Sequence, residues 1–198
     1  MTDRITVDLF AEDKAHEEFL RALIDRLARK EGKDVVVRVQ SARGGHGRAI
    51  TELKIYQKIR LKVGGGELPN ILVIAIDGNC KPFADAKREI EASLESGFQP
   101  IAAVACPEPH IERWFLADPA GCKQVIGIAP RLSKRKCDRN VYKKLLSDTV
   151  EKAGHISLLG GIEFARELVE VMDLDHVSKA EKSFHAFIDS IVGLLRNS

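Results

Sequence analysis

Acidic residues punctuate this chain where apolar runs end. Glu12 and Asp13 follow the run Ile5 to Ala11. Asp77 opens Asp77-Gly78-Asn79 directly after Ile71 to Ile76. Glu112 comes shortly after Ile101 to Ala105 and Cys106-Pro107, with Trp114 and Asp118 close behind it. Carboxylates brought to one place repel each other unless a cation neutralises them. Hard oxygen donors combined with substrate phosphates are what Mg²⁺ prefers. A pair of such ions can stabilise both the attacking and the leaving oxygen of a phosphodiester displacement. Taken one at a time, the same acids fit a plainer role, because helix N-termini favour negative charge and aspartates cap them. Their joint placement at strand ends is the stronger signal.

The elements that must position them alternate in type. Ile5 to Ala11 reads as a buried strand. Lys14 to Lys30 carries Phe19, Leu20, Leu23, Ile24 and Leu27 at helical spacing, with Gly32 as a stop. Val35 to Val39 is a second strand and Ala49 to Val63 a second helix. Ile71 to Ile76 is the most apolar strand. A helix starting at Pro82 runs to Glu95, and Ile101 to Ala105 is a fourth strand. Strand–helix alternation implies right-handed βαβ units and a parallel sheet covered on both faces. Ligands of such sheets sit at the carboxyl ends of the strands, the rim to which all the acids belong. After Pro119 strands give out. Residues 123–140 read as irregular and rich in Lys and Arg, followed by helices over Ile162 to Met172 and Lys179 to Leu195. The organisation is an α/β core over residues 1–118 and a helical extension over residues 119–198, packed on the core as a single unit.

Cationic residues suited to a polyanion cluster in two places. Arg43 and Arg48 flank a glycine-rich loop whose amides can approach a phosphate. Lys134, Arg135 and Lys143 belong to the densest basic stretch, between Arg131 and Lys144, which can track a nucleic-acid backbone or form an ordinary solvated face. No G-x-x-x-x-G-K-[ST] occurs, so the chain has no nucleotide-binding P-loop. His110 and His155 are candidate proton carriers, although a surface or capping role is the commoner fate of such residues. Trp114 reads as core. The apolar stripe Phe184, Phe187, Ile188, Ile191, Val192 and Leu195 also reads as core, covering the sheet.

Composition narrows the class. The chain has 198 residues, 44% hydrophobic and 30% charged, which suits a globular unit able to bury a full core without staples. A formal net charge of +2 excludes a histone-like basic domain, but not nucleic-acid binding by a local patch. The four cysteines, Cys80, Cys106, Cys122 and Cys137, show no C-x-x-C spacing, so a zinc knuckle is not expected. The polar start is unlike a signal peptide and no apolar run reaches membrane-span length. The cytoplasm, with reduced thiols and no membrane contact, is the expectation.

The order strand–Glu12, then IAIDGN, then PEPHIERWFLAD resembles Toprim-like proteins, in particular the small ones related to OLD-type nucleases that sit beside an ATPase in bacterial anti-phage defence systems. The stretch LLGGIEFARELVEVMD…SFHAFIDSI is similar to the helical tail of such proteins. The resemblance implies a Toprim-like fold and assigns Glu12 the role of the family's first glutamate and Asp77 the first acid of its D-x-D. Asn79 takes the second acid's place, and Glu112 stands for the further acid of OLD-type relatives. These four would hold Mg²⁺ or Mn²⁺, and Glu12, Asp77 and Glu112 would drive cleavage of DNA or RNA while an ATPase subunit controls the activity. Three departures stand out. Asp13 replaces the usual glycine, and His16 occupies a position where relatives often carry an acid, with Glu17 next to it. Asn79 brings no charge. Asp13 and Asn79 favour the alternative of an inert binding or assembly subunit, with a metal-dependent phosphotransferase for small substrates as a third reading. Self-association is compatible with all of them.

Overall fold

The computed structural model describes residues 4–42, 46–62, 68–132, 137–138 and 140–198. Along the chain the elements are β1 Ile5–Ala11, α1 Lys14–Lys30, β2 Val35–Ser41, α2 His46–Lys62, β3 Ile71–Ala75, α3 Phe83–Glu91, β4 Ala102–Ala105, α4 Glu112–Leu116, α5 Pro119–Ile126, α6 Val141–Lys152, α7 Ala165–Val171, α8 Leu174–Ala180 and α9 Lys182–Asn197. The four strands form one all-parallel sheet in the order β2-β1-β3-β4. The chain leaves β1 toward β2 on one side, then returns past β1 to β3 and continues to β4. Neighbouring connections therefore diverge between β1 and β3, and such a switch point opens a crevice at the strands' carboxyl ends. Register places Ala11, Ala75 and Ala105 side by side, so the residues that follow them emerge together at this rim.

Strand periodicity sorts the core into two layers. Val7, Leu9, Ala11, Ile71, Val73 and Ala75 face α1 and the C-terminal helices. Phe10, Leu72, Ile74 and Ile76 face the α2–α3 side with Leu53, Ile90 and Phe98. Helix α1 buries Phe19, Leu20, Leu23 and Ile24 completely, and each such side chain contributes about 1.5–3 kcal/mol of burial. Trp114 is fully buried, edge-on to Phe184 and stacked near Phe187 of α9, and its indole N–H donates to Ser183 at 3.2 Å. The larger core layer runs without a break from β1 to Leu195.

Several boundaries differ from the expectations. Strand β2 continues two residues past Val39, to Ser41, pairing to Ala11. Helix α3 is shorter than Pro82 to Glu95, and Pro82 is its cap rather than its first residue. The stretch expected to be irregular, residues 123–140, holds the end of α5, and α6, a helix not expected from the sequence, starts directly after it. In α6, Tyr142, Leu146, Thr149 and Val150 are buried at helical spacing, a pattern masked in the sequence by the interleaved lysines. The last predicted helix starts at Lys182, because Glu181 turns inward as a buried partner of Arg113 and interrupts the α8–α9 path. No described helix is long and apolar enough to cross a membrane.

Candidate metal centre

Glu12 leaves the end of β1, its N–H donating to Ala75 O at 2.9 Å. Its Oε2 accepts the Asp77 N–H at 2.9 Å, which joins the ends of β1 and β3 through one carboxylate. Asp13 caps α1, accepting from the N–H groups of Ala15 and His16 at 3.0 and 3.1 Å. The cap places His16 on the first turn of α1, fully buried, with Nδ1 2.8 Å from Asp13 Oδ1. The other ring nitrogen, Nε2, lies 3.0 Å from Asp77 Oδ1 as an ion-pair contact without the alignment of a hydrogen bond. Asp77 is buried. Its Oδ1 accepts the Ile111 N–H at 2.9 Å, and its Oδ2 is 3.0 Å from His110 Nδ1.

The loops that close this site pack tightly. Gly78 N–H donates to Pro107 O at 2.8 Å, and a Cβ on Gly78 would sit 3.0 Å from that carbonyl oxygen. A side chain would therefore push the loop after β3 away from the loop carrying His110. Asn79 adopts a left-handed backbone conformation, φ 52°, which Asn tolerates better than most residues. Its N–H donates to Pro109 O at 2.9 Å and its Nδ2 to Asp77 O at 3.3 Å.

Glu112, on the first turn of α4, is 2% exposed, and its Oε2 has no hydrogen-bond partner among the described residues. Lys143 of α6 lies 3.7 Å from both Glu112 Oε1 and Asp13 Oδ2. A buried, unmatched carboxylate oxygen is costly, and native structures normally supply it with a donor, a water or an ion.

The site's electrostatics follow from its crowding. Burial, reinforced by the charge of Asp77, raises the Glu12 carboxyl above the usual range against the pull of His16. Burial and the Asp77 charge likewise raise Glu112, against Lys143. For Asp13 and Asp77 burial is outweighed. His16 holds Asp13 well below the usual carboxylate range, and His16 with His110 lowers Asp77. Burial disfavours a charged His16, but Asp77 and Asp13 together raise it well above a free imidazole. His110 is raised chiefly by its hydrogen bond to Asp77.

Of the residues expected from the sequence, the rim unites Glu12, Asp77, Glu112 and Lys143. Candidate ligand atoms of Glu12, His16 and Asp77 lie within 4.8 Å of one another. That group, the one metal-compatible cluster of His, Cys, Asp and Glu among the described residues, includes His16 and leaves out Glu112, and the Asn79 amide donates to the Asp77 carbonyl. Arg48 faces solvent and pairs with Glu52, one turn on along α2, so nothing ties it to the acids. Arg43, Lys134 and Arg135 lie outside the described residues. His110 is buried against Asp77 rather than at the surface, whereas His155 sits away from the acids, its Nε2 3.0 Å from Ile126 O. The sequence carried a signal for His16, namely the three-residue spacing from a helix-capping Asp13. For His110 there was none, because a loop partner is chosen by the tertiary path.

The cysteine expectation is revised at the edge of this site. Cys80, next to Asn79, is joined to Cys137 as a disulfide with the Cα atoms 5.3 Å apart. A separation of 57 residues concealed the pair. Cys106 and Cys122 are free, and burial pushes both thiols up to about 12, which makes them inert at neutral pH. No family model, curated protein or solved structure matches the chain.

Proposed function

We propose that this protein is a Toprim-like, divalent-metal-dependent phosphodiesterase acting on DNA or RNA, with its centre at Glu12, Asp77 and Glu112. The observation that carries the reading is the buried Glu112 Oε2, without a hydrogen-bond partner among the described residues, beside an acid cluster whose charge Lys143 alone does not balance. Glu12 and Asp77 offer the hard oxygens that Mg²⁺ or Mn²⁺ takes, and His16 beside them adds a nitrogen that Mn²⁺ accepts more readily than Mg²⁺. Glu112 stands outside that group as a neighbouring buried carboxylate. A divalent ion here supplies Lewis-acid stabilisation of a phosphodiester's developing charge.

The remaining work falls to this chain's own side chains. Lys143, between Asp13 and Glu112, is placed to receive a phosphate oxygen. Asp77 fixes the His110 ring through Nδ1, leaving Nε2 as the atom that exchanges a proton. Glu12 holds the Asp77 backbone and with it the geometry of the whole rim. Without a P-loop, any ATP dependence belongs to a separate ATPase subunit, as in the anti-phage systems of the proteins it resembles.

One observation favours a second reading. The His16 ring lies between Asp13 and Asp77, so a protonated His16 is an internal cation standing where an ion would bind. On that reading the protein is an inert subunit with the same architecture. Mn²⁺ binding followed by electron paramagnetic resonance, alongside cleavage of plasmid DNA and total RNA with Mg²⁺, Mn²⁺ or EDTA, separates the two. Metal-dependent cleavage that disappears in Glu12→Gln supports the phosphodiesterase. Absence of both Mn²⁺ binding and cleavage supports the inert subunit.

A further inference from the structure

Beside the acid rim the chain displays apolar side chains largely open to solvent. Ile156, Leu158 and Leu159 are 81%, 78% and 54% exposed. Exposed aliphatics usually accompany a loosely held backbone, but this loop is pinned along its length. Glu163 accepts the N–H groups of Leu158, Leu159 and Gly161 at 2.9, 3.2 and 2.9 Å. The Ser157 and Ser147 hydroxyls are 3.0 Å apart, and the His155 ring packs near Phe164 while its Nε2 meets Ile126 O. Gly160 and Gly161 have φ of 70° and 93°, and a Cβ on Gly161 would lie 2.6 Å from Leu146, so the turn is built for glycine. The fold thus holds the backbone in place while presenting the three side chains outward, where they add little to its own stability.

The position of this loop identifies what it meets. Leu159 and Gly160 line the same cavity, of about 180 Å³, as Asp13, Lys14, Glu112 and Lys143. A ligand spanning that cavity touches ammonium groups and the acid rim on one side and aliphatic side chains on the other. A single-stranded nucleic acid has this division within each nucleotide: an anionic phosphate and a flat base with apolar faces. In a duplex those faces are stacked away, so an aliphatic edge reaches them only when the strand is unpaired or locally unstacked.

We propose that the loop bearing Ile156, Leu158 and Leu159 is a preformed platform for the unstacked bases of a single-stranded nucleic acid whose phosphate lies at Lys143 and the acid rim. This rests on the phosphodiesterase reading and adds the strandedness of its substrate.

The test is fluorescence anisotropy of labelled single-stranded and duplex DNA and RNA oligonucleotides with the full chain in Ca²⁺, across a salt series. It compares wild type, Leu158→Ser/Leu159→Ser and Lys143→Ala. The serine variant is expected to bind single strands about tenfold more weakly, because two aliphatic contacts to the bases are lost. It should keep the same salt slope, because no charge is lost. Lys143→Ala is expected to flatten the slope, and duplex affinity should be lower than single-strand affinity in wild type. Single-strand binding unchanged in the serine variant overturns the proposal, leaving the loop to a protein partner. A wild type that prefers duplex, or binds neither form, also overturns it. Hydrolysis of bis(4-nitrophenyl) phosphate with Mn²⁺ then reports separately whether the phosphodiesterase reading stands.

Discussion

Two buried aspartates on this sheet have opposite company. Asp8, in the middle of β1 and facing the α2 side, is fully buried, with Arg38 Nε 2.6 Å from Oδ1 and Arg60 Nη2 2.8 Å from Oδ2. The Tyr56 hydroxyl also donates to it. Two permanent cations and a hydroxyl satisfy one carboxylate, and the cluster asks for nothing further. Asp77 stands at the carboxyl end of β3 among Glu12, Asp13 and Glu112. His16 and His110 pair with it, and their charge is conditional on a proton. One oxygen of that neighbourhood, Glu112 Oε2, is unmatched among the described residues. Burial of charge is therefore no indicator of function here, because both sites are buried. What separates them is closure: a balanced set of permanent charges is structural, whereas an acid excess with a missing partner invites a ligand.

The comparison can be broken from either side. Asp8→Ala should destabilise the fold by about 3 kcal/mol, since it strands two arginines. The loss stays at the low end for a broken buried pair because the Arg38 and Arg60 side chains, 39% and 27% exposed, can turn to water. Urea unfolding measures it, and Mn²⁺ affinity of the folded fraction should be unchanged. A mild effect on stability with lost metal binding would reverse the roles of the two clusters.

At the rim, Glu12→Gln should lower cleavage about a hundredfold or more, exceeding the loss typical of residues behind the ligands, while urea unfolding in EDTA stays near wild type. Full activity in that variant removes Glu12 from the centre. Mn²⁺ at about a hundred times its dissociation constant should stabilise wild type by about 2.7 kcal/mol, or about 5–10 °C in melting temperature for a chain of this size. Glu12→Gln should show little of that shift.

The smallest expected effect is the sharpest. Glu112→Gln removes a carboxylate whose charged form burial disfavours, so without metal it should stabilise the fold by about 1 kcal/mol and at the same time weaken the response to Mn²⁺. The same substitution at a satisfied carboxylate would destabilise. A loss of stability for Glu112→Gln in EDTA would show that its orphaned oxygen is matched in solution.

Much of the frame was legible in the chain itself. Apolar runs of strand length, separated by segments of helical period, determined a parallel α/β sheet. They also placed Glu12 and Asp77 at one rim, because strand order in a βαβ fold sends all carboxyl ends the same way. Glu112 was legible for the same reason, as the first acid on the helix after β4. Tertiary structure alone decided which neighbours these acids meet. His110 reaches Asp77 because the loops after β3 and β4 pack backbone to backbone at Gly78. Lys143 reaches Glu112 because α6 folds back over the rim, and Cys80 meets Cys137 across 57 residues. Asn79, placed in the ligand set by the family resemblance, instead donates its amide to the Asp77 carbonyl from a left-handed backbone position. Periodicity reports which face a residue takes and which end of the sheet it reaches. The partner waiting there is set by long-range packing, which no local pattern encodes.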